Sequence, residues 1–264
     1  MALNTPTRNK KSTKATVADV NVIAILDMSG SMQGREVETR GGFNAFVTSA
    51  QKDQRDAGGK ITLSLTCFDT EFEQVYRPTP VERVMPIGPK EYTPRGMTAL
   101  LDAIGLTLSP LRFPKDEKVM VIITTDGMEN ASHEWTPESV KKLIEAKEKL
   151  GWEFLFMGVG LDAFAASRSF ASEAMLNATM STPGTGQAVT LGMDFAVGSM
   201  RSYRRGSSLT DSVAAAYADP ASALIDRSVP DQRPDADPTK DSAAAAKLKK
   251  LSAKTTRRPD TLLD

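Results

Sequence analysis

The stretch Val20-Asn-Val-Ile-Ala-Ile-Leu-Asp27-Met-Ser-Gly-Ser31 decides how this chain is read. Val20 to Leu26 is an almost continuous apolar, β-branched run, the mark of a strand buried on both faces of a sheet. It stops at Asp27, and polar side chains then alternate: Asp27, Ser29 and Ser31. Residues two apart in extended backbone project to the same side, so these three can converge on one point. Gly30 allows the turn between the serines. In an open α/β sheet, ligands collect at the carboxyl ends of strands. One carboxylate and two hydroxyls form an all-oxygen cluster suited to a hard cation such as Mg²⁺, Mn²⁺ or Ca²⁺.

Downstream, helical and strand patterns alternate. Arg35 to Gln54 reads as a helix, weakened at Gly41-Gly42, and Ile61 to Phe68 as a half-buried strand with alternating apolar residues. Glu71 to Arg77 follows a two-residue connection and predicts an antiparallel hairpin at the sheet edge. Met97 to Leu108 is helical, Lys118 to Thr125 is a second buried strand, and Phe154 to Val159 is a third. Pro137 to Leu150 predicts an amphipathic helix capped by Thr136. Asp162 to Phe170 and Gly186 to Arg205 predict closing helices. The fold class is therefore α/β: a doubly wound, mostly parallel sheet with one antiparallel edge strand and helices on both faces.

Two further oxygen donors fall at matching places. Asp126 directly follows the strand Lys118 to Thr125, with Gly127 making the turn, and Thr98 sits where a loop becomes a helix. If the strands 20–26 and 118–125 are neighbours, Asp27, Ser29, Ser31, Thr98 and Asp126 reach one pocket. Asp102 reads equally as a carboxylate orienting a serine or a metal-bound water and as an exposed helical charge. Arg95 and Glu129 border the same loops and read as solvated charges.

These residues resemble the metal ion-dependent adhesion site of von Willebrand factor A domains. That family carries Asp-x-Ser-x-Ser after its first strand, a Thr in a loop before a helix, and an Asp in a Thr-Asp-Gly turn. Here the matching residues are Asp27/Ser29/Ser31, Thr98 and Asp126. The resemblance implies a divalent cation, foremost Mg²⁺, with one coordination position left for an Asp or Glu carboxylate of a protein partner. It covers residues 17–205, and segments such as TPRGMTALLDAIG and TTDGMENAS are similar to the bacterial and phage cytoplasmic branch. Members of that branch often act beside AAA+ ATPases, which implies an adaptor or chaperone-like role.

Composition bounds the alternatives. Lys+Arg and Asp+Glu both total 33, so net charge gives no reason to expect a nucleic-acid partner. One cysteine, Cys67, excludes an internal disulfide and fits a reducing compartment, so a cytoplasmic location is expected. No stretch is long enough to span a bilayer, so no membrane association is expected. The segment Gly30 to Gly34 lacks phosphate-loop spacing. A hydrolase would need a general base, and only His133 or Glu129 lies near the rim. A non-catalytic binding module is thus the leading reading, ahead of a metal-assisted hydrolase or a phage structural or nucleic-acid-associated protein. Residues 1–16, basic and polar, and 206–264, rich in Pro and Ala with Tyr217 as the lone aromatic, read as disordered tails.

Overall fold

The computed structural model describes residues 17–236. Strand β1 (Val20–Asp27) lies near the middle of a six-stranded sheet, with all eight residues buried. It pairs in parallel with β2 (Ile61–Phe68) on one side and with β4 (Lys118–Thr125) on the other. Beyond β4 follow β5 (Trp152–Val159) and the short β6 (Thr179–Thr182), both parallel. The far edge is β3 (Phe72–Pro80), antiparallel to β2, so the order is β3-β2-β1-β4-β5-β6.

Period-two side-chain alternation builds two cores from one strand. Val22, Ala24 and Leu26 enter the core beneath α1 (Glu36–Ala57) and α6 (Gly186–Arg204), beside Phe43, Phe46 and Met193. Ile23 and Ile25 point the other way, toward α2 (Leu100–Leu108) and α3 (Pro137–Glu148), beside Leu100, Ile104, Val140 and Ile144. Burial on both faces explains why β1 and β4 read as nearly continuous apolar runs. The strand β2, expected half-buried, is covered on both faces as well, with Ser64 and Thr66 enclosed. The α3 start follows the expected capping, with Thr136 accepting from the Ser139 backbone N–H and Pro137 in the first turn.

One short helix and one strand carry no sequence-level signal, and one expected helix is shorter than its pattern. The helix expected over Asp162 to Phe170 shortens to α4 (Ala163–Ser167), with Asp162 capping it. Helix α5 (Glu173–Asn177) and β6 follow, too brief to show a period.

The tail expected from residue 206 is corrected up to residue 236. Helix α7 (Leu209–Ala218) forms there, closed by a capping box between Ser208 and Asp211. Leu209, Val213 and Tyr217 recur every fourth residue and lie buried with Leu224 and Ile225 against the first core. The backbone N–H of Asp226 donates to Ser181 of the edge strand β6. Composition averaged over the whole segment dilutes the stripe of three apolar residues that the four-residue spacing places on one face of α7. The expected tail 1–16 and the remainder of the expected C-terminal tail, 237–264, lie outside the described residues. Among the described residues, no helix is long and apolar enough to cross a membrane.

Candidate metal centre

Adjacent parallel pairing of β1 and β4 sets their carboxyl ends side by side, and this brings Asp27 and Asp126 to one rim. Asp27 ends β1 and is buried, its Oδ1 accepting from the Ser29 N–H at 2.7 Å. Its other oxygen accepts from the Thr125 hydroxyl at 2.5 Å. Burial pushes the Asp27 carboxyl up to about 6, against the lowering influence of the Thr125 and Ser29 hydrogen bonds.

Ser29 and Ser31 place their hydroxyl oxygens 3.0 Å apart, and the Ser31 hydroxyl donates to Asp126 Oδ1 at 2.6 Å. A side chain built on Gly127 would begin 2.8 Å from Thr98 Oγ1 and 3.4 Å from Ser31 Oγ. Gly127 is therefore the residue that lets the Asp126 turn approach the Thr98 loop. That approach is pinned by a reciprocal pair: Thr98 N–H to Asn130 Oδ1 at 2.9 Å, and Asn130 N–H to Thr98 O at 3.0 Å. The Asp-x-Ser-x-Ser loop is held from below by Tyr92, whose hydroxyl donates to the Asp27 carbonyl at 2.7 Å. The Gly30 N–H reaches the Gly96 carbonyl at 3.1 Å. All five candidate ligands thus stand on three interlocked loops, with exposed Ser31 giving the cluster its face to solvent.

This donor set is two carboxylates and three hydroxyls, all hard oxygen, and it fits a hard divalent cation by chemistry. Among the described residues no three His, Cys, Asp or Glu side chains cluster as a metal-binding group, so the fit rests on hydroxyls joined to carboxylates. A cation here would also offset the burial that raises Asp27.

The neighbouring charges have other partners. Glu129 accepts from the backbone N–H groups of Leu101, Ala131 and Ser132 and from the Ser132 hydroxyl. Asp102 accepts from the N–H groups of His133, Glu134 and Trp135, which gives it a loop-holding role away from the serines. Arg95 donates to buried Asp69 at 2.6 Å. Cys67 is buried, and burial pushes its thiol up. Two residues bonded to the candidate ligand carboxylates escaped the sequence reading. Thr125 had a signal in its place beside Asp126, whereas Arg35, paired with Asp126 across 91 positions, had none. Cavities of about 340 and 370 Å³ lie elsewhere, one at the amino end of β5 and one beside Tyr217.

The sheet order, the single antiparallel edge and the helices on both faces define a von Willebrand factor A-like fold. Solved structures share it at low sequence identity. The vWF domain of the type V pili tip protein Mfa5 from Porphyromonas gingivalis superposes with a TM-score of 0.55 at 11% identity, over 75% of this chain and 100% of that one. The PilB minor pilin from Streptococcus sanguinis gives 0.53 at 13% identity, over 70% of this chain and 61% of that one. Proximal thread matrix protein 1 from the mussel byssus, solved with a zinc-occupied MIDAS motif, gives 0.51 at 14% identity, over 73% and 47%. No family model matches the sequence, and no curated protein sequence matches it.

Proposed function

We propose that this chain is a protein-binding module in which Asp27, Ser29, Ser31, Thr98 and Asp126 hold a divalent cation. The observation that carries this reading is the continuous run of oxygens from Ser29 through Ser31 to Asp126, flanked across Gly127 by the Thr98 hydroxyl. Mg²⁺ suits this set best, because the donors are few, hard and drawn from rigid loops. When bound, the ion supplies an electrophilic position for a partner's Asp or Glu carboxylate. The chain's own residues orient that approach: the serines, Thr98 and Asp126 fix where the position opens. Met97 and Met128, each 53% exposed on the two loops that flank it, offer apolar contact around the anchor. A zinc-occupied MIDAS motif in the byssus protein, which shares the fold, supports the same use of this rim.

The reading is non-catalytic. Both oxygens of Glu129 are taken by four donors, which removes one of the two candidate bases of a metal-assisted hydrolase. A cytoplasmic setting belongs to the proposal, resting on the lone buried thiol of Cys67. Capture of partners from the native host in Mg²⁺ and in EDTA tests the module, with Asp27→Ala and Asp126→Ala as baits beside the unaltered chain. A partner retained only by the unaltered chain in Mg²⁺ is the expected result. One held equally in EDTA would defeat the reading, and ester or phosphoester turnover lost in Asp27→Ala would favour the hydrolase.

A further inference from the structure

Arg35 stands immediately before α1, and its guanidinium lies across the rim of the candidate centre. Nη1 donates to Asp126 Oδ2 at 2.5 Å and to the Ser31 carbonyl at 2.9 Å. Nε and Nη2 both reach the Gly184 carbonyl, at 3.3 and 3.1 Å, in the loop between β6 and α6. One side chain therefore ties together the serine loop, the Asp126 turn and a third loop. The Asp126 side chain is 3% exposed and that of Arg35 is 23% exposed, so water screens the pair poorly. The remaining Asp126 oxygen, Oδ1, accepts from Ser31.

We propose that Arg35 is a built-in competitor of the divalent ion for the Asp126 carboxylate, and that it sets the affinity of the centre. This rests on the metal-binding reading above and goes beyond it, because none of the five oxygen ligands implies a cation on the same carboxylate. The two carboxylates of the cluster carry two negative charges, and the guanidinium cancels one of them. A divalent ion drawn to Asp126 meets a positive charge already fixed there by a charge-assisted hydrogen bond. Binding then requires either that Arg35 swing away from Asp126, giving up its hold on the Ser31 carbonyl as well, or that the two cations share one carboxylate at close range. Both routes weaken uptake. They leave the centre occupied only where the ion is plentiful or where a partner carboxylate restores the lost negative charge.

Titration calorimetry with Mg²⁺ and with Mn²⁺ on the full chain tests this, using the unaltered protein, Arg35→Gln, Arg35→Met and Arg35→Lys. Gln and Met remove the charge, whereas Lys keeps it without the planar fork. The neutral variants are expected to bind either ion at least about tenfold more tightly than the unaltered chain, with Arg35→Lys within about threefold of it. Thermal melts give a second readout, independent of any partner. Without metal, Arg35→Gln melts below the unaltered chain, and Mg²⁺ raises its midpoint by more. Met stands in for Gln should that variant fail to fold. Equal or weaker uptake by the neutral variants would overturn the inference while leaving the metal centre intact, and so would tightening in Arg35→Lys to the same degree. Absence of uptake by every protein, the unaltered chain included, would overturn the metal centre and the inference together.

Discussion

The Ser31 hydroxyl donates to Asp126 Oδ1 at 2.6 Å, joining residues 95 positions apart in the chain. That one bond fastens the loop after β1 to the turn after β4. Replacing Ser31 by Ala removes both the link and one donor of the candidate centre. Ser31 is exposed and Asp126 keeps its Arg35 contact, so the fold should lose less than about 1 kcal/mol. Mg²⁺ uptake, read by calorimetry, should weaken by about tenfold or more, a change of about 1.4 kcal/mol at the least.

The two exposed methionines of the rim should matter to the partner and not to the ion. Met97 and Met128 neighbour Thr98 and Gly127, yet their backbone placement is fixed by the Thr98–Asn130 pair. A double change, Met97→Ser with Met128→Ser, removes apolar area worth about 1–3 kcal/mol of contact. Partner affinity, measured by interferometry in Mg²⁺, should fall by about tenfold or more while ion uptake stays as it was.

Gly105 has a structural reason to be glycine. A Cβ there would lie 2.0 Å from Cδ2 of the Trp135 indole, where α2 packs against the loop leading into α3. Gly105→Ala gains up to about 1 kcal/mol of helix propensity. Displacing a packed indole costs about 1–3 kcal/mol. The net effect expected is destabilisation in urea, accompanied by a shift in tryptophan emission.

Lys147 supplies a pH test of stability. It is buried, donates to the Leu111 carbonyl at 2.7 Å, and lies 4.3 Å above the Trp152 ring. Burial, with the Arg112 charge adding to it, pushes its ammonium down to about 8 from the usual 10.5. Below about pH 8 both folded and unfolded chains hold this proton, and the desolvation cost is fully present. Between about 8 and 10.5 the unfolded chain binds the proton more tightly, so stability rises with pH. Relative to Lys147→Met, the unaltered chain should become more stable across that window, read from denaturant midpoints.

Truncation after Arg205 should unfold more than a tail. It removes Leu209, Val213, Tyr217, Leu224 and Ile225 from the first core and takes the Asp226 N–H off the edge strand. Each buried apolar side chain is worth about 1.5–3 kcal/mol, so the loss is comparable with the whole stability of a domain. Circular dichroism melts should show a large drop in midpoint or no cooperative transition.

Much of this was legible from residues alone, for one physical reason: burial on both faces favours apolar side chains along most of a strand. Val20 to Leu26 and Lys118 to Thr125 announce themselves in that way, and the polar residues that end them mark the rim. Phe154 to Val159 did the same, although β5 begins two residues earlier, at Trp152. The hairpin strand was expected at Glu71 to Arg77 and runs from Phe72 to Pro80, since an exposed edge strand has no apolar boundary to fix its ends. The four residues of β6 are strand only because β5 offers them an edge.

The sequence by itself determined which side chains could form an oxygen cluster, because a strand's end and its two-residue alternation are local properties. Tertiary structure alone decided what surrounds that cluster. Arg35 meets Asp126, Asn130 clasps Thr98, and α7 seats three apolar residues on the core through contacts between distant segments. Local periodicity carries no information about such contacts; they exist only once the sheet order has set the strand ends side by side.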